Sequence, residues 1–223
     1  MNKYEIVRQI EDFAPLETQE KWDASGWIVD LKNMNVEKIM FALTITDKVF
    51  EQAIQQNCDM IISHHPLFFV PFEYQKINMY CAHTNLDKAD GGTTDLIIEK
   101  LGFKTTIKEE FVRIVELETP ISVENLRNKL KIISPKLRYV NNNNTETVKS
   151  IGFCAGSGSE FIADTKTDAF VTGYLKFHTA LDAKQVVFDI GHFESEIFVT
   201  ELLKKLTKLE EKGVIADEAS PFI

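Results

Sequence analysis

The sequence predicts an α/β protein in which mostly parallel sheets are covered by helices. Three observations predict it. Strand-like and helix-like segments alternate nearly throughout the chain. Short, largely apolar runs such as DMIIS at 59–63 and QVVFDI at 185–190 read as strands buried on both faces. The length, 223 residues, suits one large α/β domain or two small ones and allows a real core.

The elements follow in order. Tyr4, Ile6, Val7, Ile10 and Phe13 have helical spacing, and Pro15 closes that helix. Residues 38–46, KIMFALTIT, are β-branched and apolar and read as a strand. The segment 47–57 reads as a helix with Val49, Phe50, Ala53 and Ile54 on one face. DMIIS is a strand that ends at His64-His65-Pro66, because proline cannot donate to a ladder. INMYCAHT at 77–84 is a further strand, and a helix over 90–101 stops at Gly102. FVRIVELE at 111–118 alternates as a strand. Pro120 and Ser122 start a helix that runs to about Leu130. KLRYV is a strand, and Asn141 to Asn144 form a polar turn. VKSIGFC is a strand followed by the glycine-rich AGSGSE and a short helix. DAFVTG is a strand, YLKFHTALDA a helix and QVVFDI a strand. The final helix is expected from His192 to about Leu209.

Composition narrows the function. The formal net charge is -9, so an acidic surface repels phosphate backbones and disfavours nucleic acid and anionic membranes. A phosphorylated small molecule stays possible, because buried metal ions reverse the local field. Cys58, Cys81 and Cys154 stand far apart with no C-x-x-C pair, which removes zinc-finger and thioredoxin readings and predicts buried free thiols. The amphipathic start MNKYEIVRQIEDF does not read as a signal peptide. No apolar run approaches a membrane span, so a cytoplasmic protein is expected.

The histidines carry the chemistry. His64 and His65 follow DMIIS, His83 and Asp87 follow INMYCA, and His192 follows QVVFDIG. Ligands of open α/β sheets bind beyond the carboxyl ends of strands. Adjacent strand residues point to opposite faces, so both imidazoles of HHP serve one site only if the strand breaks there. A carboxylate four residues beyond His83 suits a hard or borderline cation, although Asp87 could instead cap the helix near Asp90. His192 and Glu196 share a face if a helix starts near His192, whereas Glu194 reads as a solvated acid of the first turn. The loop Gly152 to Ser159 could cradle an anion with its backbone N–H groups, or could simply turn tightly. His178 lies in a helix as a proton donor or a plain helix-face residue, and Trp22 reads as a packing anchor more than a substrate platform.

DMIISHHPLFF, YCAHTNLD, GFCAGSGSEFI, DAFVTG and DIGHFESE stand in the order seen in the NIF-three-like family, whose members are often named GTP cyclohydrolase I type 2 homologues. KWDASGW resembles its W-D-N-x-G segment. The resemblance implies two α/β domains of the NIF-three-like fold, the first formed by 1–115 plus 190–223 and the second by 116–189. It implies a dinuclear metal site in the cleft between them and a ring-shaped homohexamer. It places the ligands on His64, His65, Asp87, His192 and Glu196, with His83 and His178 close by as substrate-facing or proton-carrying groups. Ala24, Thr44 and Tyr174 depart from the family's usual Asn, Asp and acid, and the HHP-to-HTNLD segment is short. The function expected is that of a metal-dependent hydrolase with two divalent ions (zinc, iron, manganese or cobalt) and a nucleotide-like or phosphorylated small-molecule substrate. A non-catalytic metal-binding scaffold or metal chaperone is the alternative.

Overall fold

A computed structural model describes residues 1–209 and 211–222. In chain order the elements begin with α1 (Lys3–Phe13), β1 (Gly26–Val29), β2 (Ile39–Ala42), α2 (Asp47–Gln55) and β3 (Met60–Ser63). β4 (Asn78–Cys81), α3 (Thr84–Lys88), α4 (Thr93–Lys100), β5 (Ile107–Lys108), β6 (Arg113–Ser122) and α5 (Val123–Leu130) follow. The remainder is β7 (Arg138–Val140), β8 (Thr147–Cys154), β9 (Ala169–Thr172), α6 (Phe177–Asp182), β10 (Val186–Asp189), α7 (His192–Glu196), α8 (Val199–Leu206) and β11 (Gly213–Ile215). They divide into two compact units. Unit 1 is Met1–Gly92 with Phe198–Ile223, and unit 2 is Thr93–Ile197.

Unit 1 holds a sheet in the order β1-β4-β3-β2-β11. Its pairings are parallel except that of β1 with β4, which is antiparallel. Every residue of β2, β3 and β4 is buried, as the apolar runs require. Met40 and Ala42 face Val49, Phe50 and Ala53 of α2, and alternate residues face the other side, where α8 meets β2. Burial of each such side chain contributes roughly 1.5–3 kcal/mol. Helix α1 starts on Asn2, whose side chain accepts from the Tyr4 N–H, and buries Ile6, Val7 and Ile10.

Unit 2 holds a mixed sheet, β5-β6-β8-β9-β10-β7, parallel at its centre and antiparallel toward both edges. One face packs Ile151, Phe153, Ala169 and Val171 against Ile97 and Ile98 of α4, Leu101 just after it, and Val123, Leu126 and Leu130 of α5. The other face packs Cys154, Phe170 and Val187 with Ile162 and Phe161. The alternation of Phe153 and Cys154, or of Phe170 and Val171, between the two cores is the two-residue period of a strand.

Several expectations need correction. The first boundary lies at 92/93 and not at 115/116, because α4 is part of the unit 2 core. Thr94 donates to the Phe111 carbonyl and accepts from Ala155 N–H, and Asp95 pairs with the buried Arg113. The second lies at 197/198, because α7 packs on α4. The short helix expected after AGSGSE is a run of turns over 159–164. The final helix is interrupted at Ile197 and Phe198 between α7 and α8. β1, β5 and β11 and the short helix α3 were not expected. The strand expected to run through 84 ends at Cys81, so Asp87 lies inside α3.

Candidate metal centre

In unit 1 the ladder between β2 and β3 carries on past both strands. His64 N–H donates to the Ala42 carbonyl and His65 N–H to the Leu43 carbonyl. Ser63 Oγ then donates to the His65 carbonyl, bending the chain before Pro66. The break gathers both imidazoles on one side. Ring centroids are 5.1 Å apart for His64 and His65, 5.2 Å for His64 and His83, and 5.7 Å for His65 and His83. The three residues offer ring nitrogens that all lie within 4.8 Å of one another, a group able to hold a metal ion. On α3, Asp87 Oδ1 stands 3.4 Å from Nε2 of the fully buried His64.

Each of these rings is anchored through Nδ1. His64 Nδ1 meets the Ala82 carbonyl at 2.8 Å, which accepts only, so the proton sits on Nδ1 and Nε2 keeps its lone pair. His65 Nδ1 meets Thr44 Oγ1 at 2.7 Å, and His83 Nδ1 meets Asp23 Oδ1 at 2.9 Å. Metal-binding histidines are commonly oriented this way by a partner on the other nitrogen. With Asp87 this nitrogen-and-oxygen donor set fits a borderline divalent cation. Cys81 is no thiolate ligand here. Burial pushes its thiol pKa well up, and its Sγ donates to the His64 carbonyl.

Two residues that sequence reasoning left without a role hold these rings. Asp23 has a shielded carboxylate that accepts from Thr84 N–H, Thr84 Oγ and Ser25 Oγ besides meeting His83. Burial alone raises its pKa, but the hydrogen bonds from Thr84, His83 and Ser25 outweigh burial and hold the group at about 2. Glu218 accepts from Leu43 N–H at 2.7 Å and Thr44 N–H at 2.9 Å, strapping the end of β2 beside His65. Burial pushes its carboxyl up despite those two N–H groups. Trp22 corrects an expectation: it is 63% exposed and its ring meets His83 in a T-shaped pair at 6.1 Å, so it is no core anchor.

In unit 2, α7 starts at His192, and His192 Nε2 lies 2.8 Å from Glu196 Oε2, one turn on. The shared helix face expected from the spacing is present. Ser195 Oγ donates to the His192 carbonyl and accepts from Gly156 N–H. Gly158 N–H donates to Thr172 Oγ1. The glycine-rich loop therefore commits two of its amides to side chains of its own unit. Its glycines serve close approach: a Cβ on Gly156, at φ +60°, would lie 2.1 Å from Glu196 Oε1. His178 stands on α6, a helix with no buried residue, where its ring meets Phe177. It lines a cavity of 890 Å³ with Thr179, Lys166 and Lys184. Ser195 carried no signal stronger than its residue type, whereas Gly156 stood out as part of the glycine-rich loop.

The fold and these histidines define an α/β protein with a side-chain group able to bind a metal ion. A profile of the Duf34/NIF3 (NGG1p interacting factor 3) family matches residues 1–218, and the chain belongs to that family. It is 32% identical to a GTP cyclohydrolase 1 type 2 homolog of Clostridium perfringens, with 100% of this chain and 99% of the relative covered. A protein of the same description from Campylobacter jejuni is 29% identical over 100% of this chain and 99% of its own length. A crystal structure from Thermus thermophilus has a TM-score of 0.86 at 21% identity, covering 100% of both chains, which shows a shared fold. Among the described residues no helix is long and apolar enough to cross a membrane.

Proposed function

We propose that the protein is a metal-dependent hydrolase of a nucleotide-like or phosphorylated small molecule, with two divalent ions held by His64, His65, Asp87, His192 and Glu196. The names of the bacterial relatives support the substrate class, and motif order supports the ligand set. The observation that carries the reading is the gathering of three imidazoles, each oriented through its Nδ1, at the ends of β3 and β4.

A pair of divalent cations, if bound by this donor set, would supply Lewis acidity and lower the pKa of a water. The chain's own residues do the rest. His83 keeps its Nδ1 proton on Asp23 and offers Nε2 as the atom that accepts a proton from water and returns it to the leaving group. Asp23, ionised throughout the physiological range, stabilises the imidazolium that forms. Thr44 and Ala82 fix the His65 and His64 rings. His178 has none of these contacts, so proton transfer is given to His83. We further propose that the protein is a cytoplasmic homo-oligomer, with exposed Phe68, Phe69 and Phe72 in unit 1 as a self-association surface.

The test is metal analysis of the purified protein, then a hydrolase screen of nucleotides and phosphorylated sugars with wild type and Glu196→Ala. Bound divalent metal and activity lost in Glu196→Ala are expected. Equal activity in both proteins, or metal bound without turnover on any substrate, would overturn the hydrolase reading; the second result describes a metal-binding scaffold.

A further inference from the structure

The sequence holds two tryptophans, and the fold treats them differently. Trp27 is half-buried, with its ring 5.4 Å from the rings of Tyr4 and of Tyr80. Trp22 is 63% exposed. Its backbone is nonetheless tightly fixed. Asp23 N–H closes the turn onto the Glu20 carbonyl at 3.0 Å, and Glu20 N–H donates to Thr84 Oγ1 at 2.9 Å. Glu20 also pairs with Lys88 of α3. The neighbouring Asp23 carboxylate accepts from Ser25 and Thr84 and meets His83. A large apolar ring is thus held in water on a well-bonded turn, and among the described residues its ring neighbour is His83, at 6.1 Å and 73°. Packing does not account for it, since burial would remove the ring from solvent.

We propose that Trp22 is the stacking platform of the site beside His83, and that the substrate carries a planar heteroaromatic ring such as a nucleobase. The proposal rests on the reading that the histidine cluster serves a small molecule, and it names the part of that molecule the protein grips. An indole offers a flat π surface and one N–H, and it has no charge to offer a phosphate. Flat rings stack on such a surface with little regard to sequence or substituent. A cationic ligand would also suit an indole face, but the divalent ions assigned to the neighbouring histidines repel it. The rigid turn means that the platform costs little ordering on binding.

Calorimetry with guanosine, adenosine and ribose 5-phosphate tests this on the purified protein and on Trp22→Ala and Trp22→Phe. Nucleoside binding weakened about 5- to 150-fold in Trp22→Ala, the range for loss of one base–aromatic stack, is expected. Trp22→Phe falls between, while ribose 5-phosphate binding and metal content stay unchanged. In a Trp27→Phe protein, where Trp22 is the one indole left, either nucleoside quenches the indole emission. The proposal is overturned if wild type binds neither nucleoside, if Trp22→Ala binds them as wild type does, or if Trp22→Ala loses metal. Failure of the hydrolase reading looks different: nucleoside binds and quenches Trp22, but no substrate turns over.

Discussion

Gly156 is held by two constraints at once. Its φ of +60° favours glycine, and its missing Cβ leaves the space that Glu196 Oε1 occupies. In Gly156→Ala the flexible carboxylate gives way before the backbone does. We expect metal affinity to fall roughly 10- to 100-fold, as when a group that supports a ligand is lost, with a stability cost of about 1 kcal/mol. Calorimetric metal titration beside a thermal melt checks this, and unchanged affinity refutes the positioning role. Asp23 gives a pH signature. Its folded pKa is about 2 against an ordinary 3.8, so the stabilisation it supplies is present above pH 4 and drains away as pH falls toward 2. Denaturant melts of wild type should weaken over that window more than those of Asp23→Asn. Parallel curves for the two would show that the network adds nothing to folding.

Helix α6 shows how an element with no apolar anchor is kept in place. None of its side chains is buried. Its end is held by Asn142, whose Nδ2 donates to the carbonyls of Ala180, Leu181 and Ala183 at 2.9, 3.2 and 3.1 Å, and Asn143 Nδ2 donates to Lys184. The asparagine run is therefore a cap as well as a turn. Asn142→Ala should destabilise the protein by about 1 kcal/mol and should raise hydrogen exchange at 177–183 first. A uniform change along unit 2 would refute the local role. The same contrast explains what the amino-acid pattern reveals. Buried strands β2, β3, β4, β9 and β10 announce themselves through apolar runs. β1, β5 and β11 are short edge segments whose pairing comes from neighbours, and periodicity is silent on them. HHP and HFESE place their imidazoles and carboxylate by spacing, whereas Asp23, Glu218 and Ser195 act through contacts 60, 174 and 39 residues away in the chain.

Across the whole molecule, apolar surface left in water bears on the proposed self-association. Phe68, Phe69 and Phe72 are 75, 81 and 86% exposed within five residues of chain. Each ring buried at a contact between copies contributes roughly 1.5–3 kcal/mol. The double variant Phe68→Ser, Phe69→Ser should shift sedimentation toward smaller species while the circular dichroism spectrum stays unchanged. An identical sedimentation profile removes these rings from the interface. The path of the chain has its own consequence. Unit 2 is continuous, but unit 1 is closed by α8 and β11, which follow it. On the ribosome, unit 2 is complete before residues 198–223 have been made, while β2 still lacks its β11 partner and the Glu218 strap beside His65. The histidine cluster is thus made early in synthesis and finished late, when the C-terminal strand docks and Glu218 straps the end of β2.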